Sequence, residues 1–212
     1  MNTHTLQDLQ PGFRNEALDS QAVFRTSLTA MSHPGRPVAM PDGIAHPKTG
    51  HAAAAALLLA LLDADCSVWL SPTLAVGDAG HWLRFHTGCQ LTNDATQAQF
   101  LWVGTDDVPP ELAQLCTGSD AYPDQSATCV LEVAALHVTA DANCSGCAPW
   151  SLTGPGIAGQ TLLASDGLTP AFVAQWQGNH ALFPRGIDAY LATPTHVAGL
   201  PRTTAIRPAQ EI

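Results

Sequence analysis

The sequence predicts an α/β fold in which helices flank a mixed β-sheet. Two observations favour this class: helical patterns near the N-terminus, and short apolar segments further on that alternate with more helical stretches. Several segments between residues 67 and 103 are close enough for hairpins, so we expect strands of both directions. With 212 residues, 46% of them hydrophobic, the chain can bury a substantial core.

The first helix is predicted to begin at Asp19 or Ser20, either of which can cap it, and to end at the His-Pro-Gly of residues 33–35. Its apolar residues recur near helical spacing: Val23, Phe24, Leu28 and Met31. Residues 1–18 show little periodicity. We therefore expect an N-terminal arm over residues 1–18 and a single α/β domain over residues 19–212.

A second helix is predicted over residues 51–62, after a loop punctuated by proline and glycine. Thr49 is the candidate N-cap. Alanine and leucine dominate this helix and lie on all its sides, so neighbouring elements should cover most of it.

The remaining elements are short. Further helices are predicted after Pro109 and Pro110 through Leu115, and over residues 170–176. Strands are predicted where short apolar segments are bounded by Gly, Pro, Asp or Asn, at residues 67–70, 81–86, 100–103, 128–133, 150–153, 187–192 and 197–200.

Charge and length exclude several classes of partner. Eight Lys and Arg against 18 Asp and Glu give a net charge of -10, which repels nucleic acid and anionic membrane surfaces. The longest apolar run has 11 residues, too few to span a bilayer. Because the N-terminus lacks a signal-peptide pattern, we expect a cytoplasmic protein whose six cysteines are reduced thiols.

Lys48 is the only lysine in the chain. A pyridoxal phosphate enzyme holds its cofactor through a lysine, and Lys48 lies in a loop rich in proline and glycine, so we expect no pyridoxal phosphate and no other cofactor. A Walker A phosphate loop is also excluded, because no GxxxxGK[ST] pattern exists.

Cys144 and Cys147 form a CxxC pair that can supply half of a zinc site or act as a redox pair. His137 is the nearest candidate for a third ligand. An exposed loop without a metal is the alternative interpretation, because a closed tetrahedral zinc site needs four ligands.

Six residues form an anion-binding hypothesis. In the predicted strand LRFH two of them alternate and would share one face, and three others are consecutive after the last strand. Guanidinium groups and threonine hydroxyls suit a phosphate or phosphonate, although each arginine can instead pair with one of the 18 carboxylates. The six residues are Arg25, Arg84, His86, Arg202, Thr203 and Thr204. Hydrolytic motifs are absent, so no catalytic residue is assigned.

Six runs in order resemble the H-subunit family of the bacterial carbon–phosphorus lyase system: SQAVFRTSLTAMSHPG, LLLALLDADCSVWL, LRFHTGC, LTGPGI, FPRGID and LPRTT. The first is similar to the family signature Q-x-x-F-R-x-x-L-x-A-M-x-x-P-G. It matches at Gln21, Phe24, Arg25, Leu28, Ala30, Met31, Pro34 and Gly35. The chain departs from the family pattern at Cys66 and Ser67, and the segment HVTADANCSGCAPW matches nothing in it, which leaves the role of the CxxC pair open.

The resemblance implies a fold like the large domain of pyridoxal-dependent transferases, without the cofactor. It also implies assembly with the G, I and J subunits and, in isolation, a homodimer. With the L protein, these subunits attach an alkylphosphonate to the ribose of a nucleoside triphosphate with loss of the base; the J subunit then breaks the carbon–phosphorus bond. A phosphonate or nucleotide is therefore the ligand to consider, and the resemblance carries no catalytic residue for the H subunit.

Two alternatives remain beside this interpretation. One is an independent group-transfer enzyme that holds a phosphate ester with Arg84, His86 and Arg202. The other is a zinc- or redox-responsive binding module built on Cys144 and Cys147.

Overall fold

The computed structural model describes residues 11–138 and 149–209. In these ranges five α-helices and ten strands follow one another: α1 (Glu16–Ser32), β1 (Val38–Ala39), α2 (Ala52–Leu61), β2 (Ser67–Leu70), α3 (Pro72–Val76), α4 (Ala79–Thr87), β3 (Gln90–Thr92), β4 (Phe100–Val103), β5 (Thr128–Glu132), β6 (Trp150–Thr153), β7 (Thr161–Leu163), α5 (Pro170–His180), β8 (Asp188–Ala192), β9 (His196–Leu200) and β10 (Ala205–Pro208). Short 3₁₀ turns lie at Ala95–Gln97, Leu112–Gln114 and Pro123–Gln125.

Seven strands form a mixed sheet in the order β1-β9-β8-β5-β4-β2-β3. The five strands from β8 to β3 are parallel, whereas β9 runs antiparallel to β8 and β1 antiparallel to β9. In the centre of the sheet Val130 is paired with Trp102 on one side and with Tyr190 on the other. The predicted α/β class with a mixed sheet is confirmed. The hairpins expected between residues 67 and 103 were wrong, because β2, β3 and β4 are parallel, and the antiparallel pairs of this sheet involve β9.

Alternate strand residues enter two cores on opposite faces of this sheet, as the pleat requires. Val130 and Trp102 pack with buried residues of α1, α2 and α4. Leu131 and Leu101 pack with α5 and with a second, antiparallel sheet of order β10-β6-β7. Both faces are therefore covered, and polar side chains can reach solvent mainly at the strand ends.

The second helix is close to its prediction, since α2 spans Ala52–Leu61 and buries a run from Ala53 to Leu59. The predicted cap was wrong: His51 is the N-cap residue, and its side chain makes no capping hydrogen bond. Thr49 binds Asp78 instead.

The first helix begins earlier than predicted. Asn15 is its N-cap, and the Asn15 side chain accepts a hydrogen bond from the Leu18 amide. Asp19 lies within the first turn and accepts from the amides of Arg14 and Asn15. The helix ends at the predicted His-Pro-Gly sequence.

Small residues form the buried face of α1, namely Val23, Ser27 and Ala30. Phe24 and Leu28, which the periodicity placed on the apolar face, are 45% and 53% exposed. Glycine at position 199 of β9 permits this close packing, because a Cβ there would lie 2.5 Å from the Ala30 carbonyl oxygen.

The predicted strand over residues 81–86 was wrong, because these residues belong to α4. Its buried residues, Ala79, Gly80, Trp82 and Leu83, follow helical spacing, and Gly88 ends the helix with φ of 74°.

The helix expected after Pro110 is a single 3₁₀ turn, and α5 continues beyond residue 176 to His180. The short strands β1, β3, β7 and β10 were not predicted.

No helix in the described ranges combines the length and apolar character that a membrane crossing requires.

Residues 1–10 of the predicted arm lie outside those ranges, and the division at residue 18 stays a prediction.

Candidate functional site

The edge at which β2, β4, β5 and β8 end, here called the carboxyl edge, is where open α/β sheets place their ligands. Ser71 directly follows β2, Gly104 follows β4, and Glu132 ends β5. These residues and the loops that cover them form three hydrogen-bonded groups. They are the candidate site that the fold itself indicates.

The first group centres on Asp107. Its carboxylate accepts a hydrogen bond of 2.6 Å from the Ser71 hydroxyl and bonds of 3.0 and 2.9 Å from the Thr73 amide and hydroxyl. The Ser71 oxygen accepts in turn from the Gly104 amide at 2.9 Å. Burial raises the pKa of Asp107, but the bonds from Ser71 and Thr73 outweigh it and lower that pKa. A carboxylate with a lowered pKa is a weak general base for the serine, so the group suits loop fastening better than nucleophilic catalysis.

The second group fastens the loop before α2 to the start of α4. Asp78 accepts hydrogen bonds from the Lys48 amide at 2.9 Å, the Thr49 amide at 3.0 Å and the Thr49 hydroxyl at 2.8 Å. Partial burial raises the pKa of Asp78, and these bonds together lower it below its ordinary value. The backbone amides of Lys48 and Thr49, which could otherwise donate to a bound anion, thus donate to a carboxylate of the same chain.

The third group surrounds Glu132, which is 8% exposed. Its carboxylate accepts from the Trp102 indole N–H at 2.9 Å and from the His51 amide in a short hydrogen bond. Nδ1 of His51 lies 3.0 Å from the Ala192 carbonyl oxygen and can only donate to it, and Nε2 faces the Thr105 hydroxyl at 3.4 Å.

All three groups present carboxylates whose hydrogen bonds come from the chain itself. A phosphonate or triphosphate approaching this edge would meet the negative charge of Asp78, Asp107 and Glu132. In the part of the chain that the structure describes, no three or more His, Cys, Asp and Glu side chains are grouped so that they could hold a metal ion.

Arg202 of the anion-binding hypothesis lies at the opposite edge of the sheet, beside Asp188, the first residue of β8. Its Nε and Nη2 donate to the two Asp188 oxygens at 3.1 and 2.6 Å. Its other donors bind Pro123, Pro184 and Ser126. Since a guanidinium has five N–H groups and five bonds are present, an anion would have to displace a partner.

The neighbouring threonines are also engaged in the fold. Thr204 is fully buried, and its carbonyl oxygen accepts from the Trp176 indole N–H at 2.8 Å. The Thr204 hydroxyl has no hydrogen-bond partner among the described residues. Thr203 is half-buried in the same turn.

Arg84 and His86 do not share one face, because they lie on a helix, where residues two apart point about 200° from each other. The His86 ring packs edge-on against Trp82 and Phe85, with centroid distances of 4.9 and 5.0 Å. Arg25 is exposed on α1. The six predicted residues thus lie on three separate parts of the fold.

Cys144 and Cys147 lie outside the described residues. His137, the third candidate ligand, is exposed, and its backbone pairs with that of Ala164.

Sequence reasoning missed Ser71, Asp78, Asp107 and Glu132. A usable signal was present, because the predicted strands at residues 67–70, 100–103 and 128–133 were placed correctly and polar residues lie at or just beyond their ends. Applying the strand-end rule to these three strands would have identified the carboxyl edge.

Fold and site together define an α/β protein whose carboxyl edge is fastened by its own carboxylates. The sequence model of the family described as bacterial phosphonate metabolism protein (PhnH) matches residues 11–207. The chain belongs to this PhnH family, which confirms the resemblance predicted from the six sequence runs.

Two curated relatives match over nearly their full length. The chain is 35% identical over 194 residues to the alpha-D-ribose 1-methylphosphonate 5-triphosphate synthase subunit PhnH of Rhizobium meliloti (strain 1021), covering 92% of this chain and 93% of the relative. It is 31% identical over 195 residues to the putative C-P lyase subunit protein HtxG of Stutzerimonas stutzeri, covering 90% of this chain and 87% of the relative.

Replacing Arg202 with Ala should lower the free energy of unfolding by about 2–3 kcal/mol, because Asp188 would keep a partly buried charge without its partner. The two side chains are 13% and 26% exposed. Arg185→Ala is the control, since Arg185 and its partner Asp120 are 42% and 84% exposed and the loss should be below about 1 kcal/mol. Urea denaturation measures both, and equal losses would contradict the structural role of Arg202.

Replacing Asp107 with Asn should reduce the loss of folding stability at acidic pH. Because the folded pKa of Asp107 lies below the ordinary value of 3.8, its carboxylate stabilises the fold above that value. This contribution is lost as the pH falls through the lowered pKa. Urea denaturation from about pH 6 to about pH 2 should therefore show a shallower decline for Asp107→Asn than for the wild type. Asp106→Asn removes the same charge from an exposed neighbour, and an identical change of slope there would refute the assignment.

Proposed function

We propose that the chain is a subunit of a carbon–phosphorus lyase system. In this proposal it acts with G, I and J subunits where an alkylphosphonate is attached to the ribose of a nucleoside triphosphate. One observation carries the proposal: 93% of a relative named as a subunit of that synthase is matched by 92% of this chain. A match of this extent leaves little of either protein unaccounted for.

The electrostatics of the carboxyl edge support a role that depends on partners. Phosphonates and nucleoside triphosphates are multiply charged anions, and the edge offers them Asp78, Asp107 and Glu132 on a chain of net charge -10. Cations that stabilise such a substrate are therefore expected from another subunit or from a metal ion bound with the nucleotide. In this proposal the chain itself helps to position the substrate and to cover it.

The alternative of an independent group-transfer enzyme receives less support from the geometry. Arg202 is bound to Asp188 at β8, whereas Arg84 belongs to α4, which packs beside β3. Four strand intervals separate β8 from β3, or about 19 Å at the usual spacing. Side chains that far apart do not hold one phosphate group together.

The proposal includes a fold related to the large domain of pyridoxal-dependent transferases, which the mixed seven-stranded sheet supports. It includes no pyridoxal phosphate, since Lys48, the only lysine of the sequence, lies exposed in a loop. It also includes a cytoplasmic location and a homodimer of the isolated chain.

Reconstitution tests the proposal. The tagged chain is expected to copurify with coexpressed G, I and J subunits, and the assembly with the L protein should convert ATP and methylphosphonate to the ribosyl product with release of adenine. The chain alone should give no product, and the assembly lacking this chain should lose activity.

The same assay distinguishes the independent enzyme. Product formed by the isolated chain, and abolished by Arg84→Ala, would overturn the proposal in favour of that enzyme. Failure to copurify, with full activity in the absence of this chain, would reject membership of the assembly.

A further inference from the structure

Strand β3 is the last strand on its side of the sheet, and one residue of it faces outward. Gln90 points towards β2, because its amide donates to the Cys66 carbonyl at 2.9 Å. In a parallel pair the next residue directs its N–H and C=O to the opposite side. Leu91 therefore directs one donor and one acceptor away from β2, towards a strand added at this edge.

A cavity of about 420 Å³ opens beside this edge, between the ends of β2 and β3 and the helices α3 and α4. Its walls combine apolar side chains, among them Val68, Leu70 and Leu91, with polar ones, namely His81, Thr92 and Asn93; no Asp, Glu, Lys or Arg lines it. Val76 at its margin is 90% exposed and Leu91 is 41% exposed. These two apolar side chains are thus open, beside polar groups of the cavity, where an added strand would lie.

The Leu91 side chain lies on the same face of the sheet as this cavity, since a Cβ on Gly80 of α4 would come 2.9 Å from the Leu91 Cδ1 atom. Side chains directly opposite each other in paired strands point to the same face. A residue paired with Leu91 would therefore direct its side chain towards the cavity. Backbone pairing at a sheet edge and a pocket for a side chain of the added strand are the two features that peptide binding by strand addition uses.

Carboxylates flank β3 at both ends. Asp63 and Asp65 are exposed beside its start, where the Gln90 side chain donates to the intervening Ala64 carbonyl at 3.4 Å. Asp94 is exposed two residues after its end. Arg84 is the cation on the adjacent helix, close enough to lower the pKa of Cys89 against the larger effect of burial, which raises it. Three acids against one arginine favour a basic ligand.

The same charges disfavour a second copy of the chain at this edge. Antiparallel pairing of two β3 strands about a two-fold axis would bring Asp94 of one copy towards Asp63 and Asp65 of the other. Like charges in apposition destabilise such a pair.

We propose that the β3 edge binds an extended segment of a partner protein, with an apolar side chain opposite Leu91 and basic residues on both sides of it. This inference rests on the proposed function, because a subunit needs contact surfaces, and it specifies one such contact. The two can fail separately: copurification can succeed through other surfaces while the isolated chain fails to bind a basic strand.

The test uses a fluorescent, end-capped peptide of eight residues with alternating Val and Thr in the centre and two arginines at each end. Anisotropy titration with the full chain should give saturable binding at low salt. Leu91→Pro removes the outward N–H, a change that an edge strand tolerates, and should weaken binding about tenfold or more. Leu91→Ala, which keeps the N–H, reports the side chain alone.

Charge is tested by the double change Asp65→Asn and Asp94→Asn, which should weaken binding about fivefold at low salt and little at high salt. Asp42→Asn with Asp124→Asn is the matched control for net charge and should have no comparable effect. Circular dichroism melting verifies that each variant folds. If Leu91→Pro does not fold, the charge variants still test the proposal.

Three results would overturn the proposal. They are equal binding of a peptide with glutamates in place of the arginines, equal binding by folded Leu91→Pro, and no binding by the wild type at any accessible concentration. Sedimentation that shows a dimer lost in Leu91→Pro would assign the edge to a second copy instead.

Discussion

The carboxylate of Glu132 joins the segments on which the carboxyl edge of the sheet depends. It ends β5, accepts the indole N–H of Trp102 from β4, and accepts the amide of His51 at the start of α2. A buried carboxylate without such donors would cost several kcal/mol, and its position at a helix N-terminus is electrostatically favourable. Glycine is required at position 50, since its φ is +94° and a side chain there would overlap the Trp102 ring. Sheet, helix and preceding loop are thus fixed together by one acidic group.

Much of the architecture follows from local patterns in the sequence. The apolar run of α2 and strands such as β4 and β5 were predicted because their periodicity and composition are strong over short stretches. The helix cap was not predictable in the same way. Thr49 has the chemistry of a cap, but it lies two residues before the N-cap His51 and binds Asp78. The group that satisfies the helix start is Glu132, 81 residues beyond His51. Pairings at such separations leave no local pattern.

In the candidate site, too, local patterns could be recognised from the sequence, whereas contacts between distant residues could not. Arg202 was singled out for its chemistry and for the threonines after it, yet the carboxylate that occupies it, Asp188, is adjacent only because β8 and β9 pair in the folded sheet. Arg84 and His86 were assigned to one face because LRFH resembles an alternating strand. The segment is helical instead, and burial of Trp82 and Leu83 stabilises it as α4. The family, by contrast, could be predicted, because several runs in order are specific even where each alone is weak.

We propose that this chain uses its polar groups to hold its own loops and depends on partners to bind anionic substrates. Calorimetric titration of the isolated, folded chain with magnesium ATP, and then with methylphosphonate, tests it most directly. The account predicts no saturable binding up to about 1 mM ligand. Micromolar binding that Glu132→Gln or Asp78→Asn abolishes, in variants that still fold, would contradict it and make the carboxyl edge an independent substrate site.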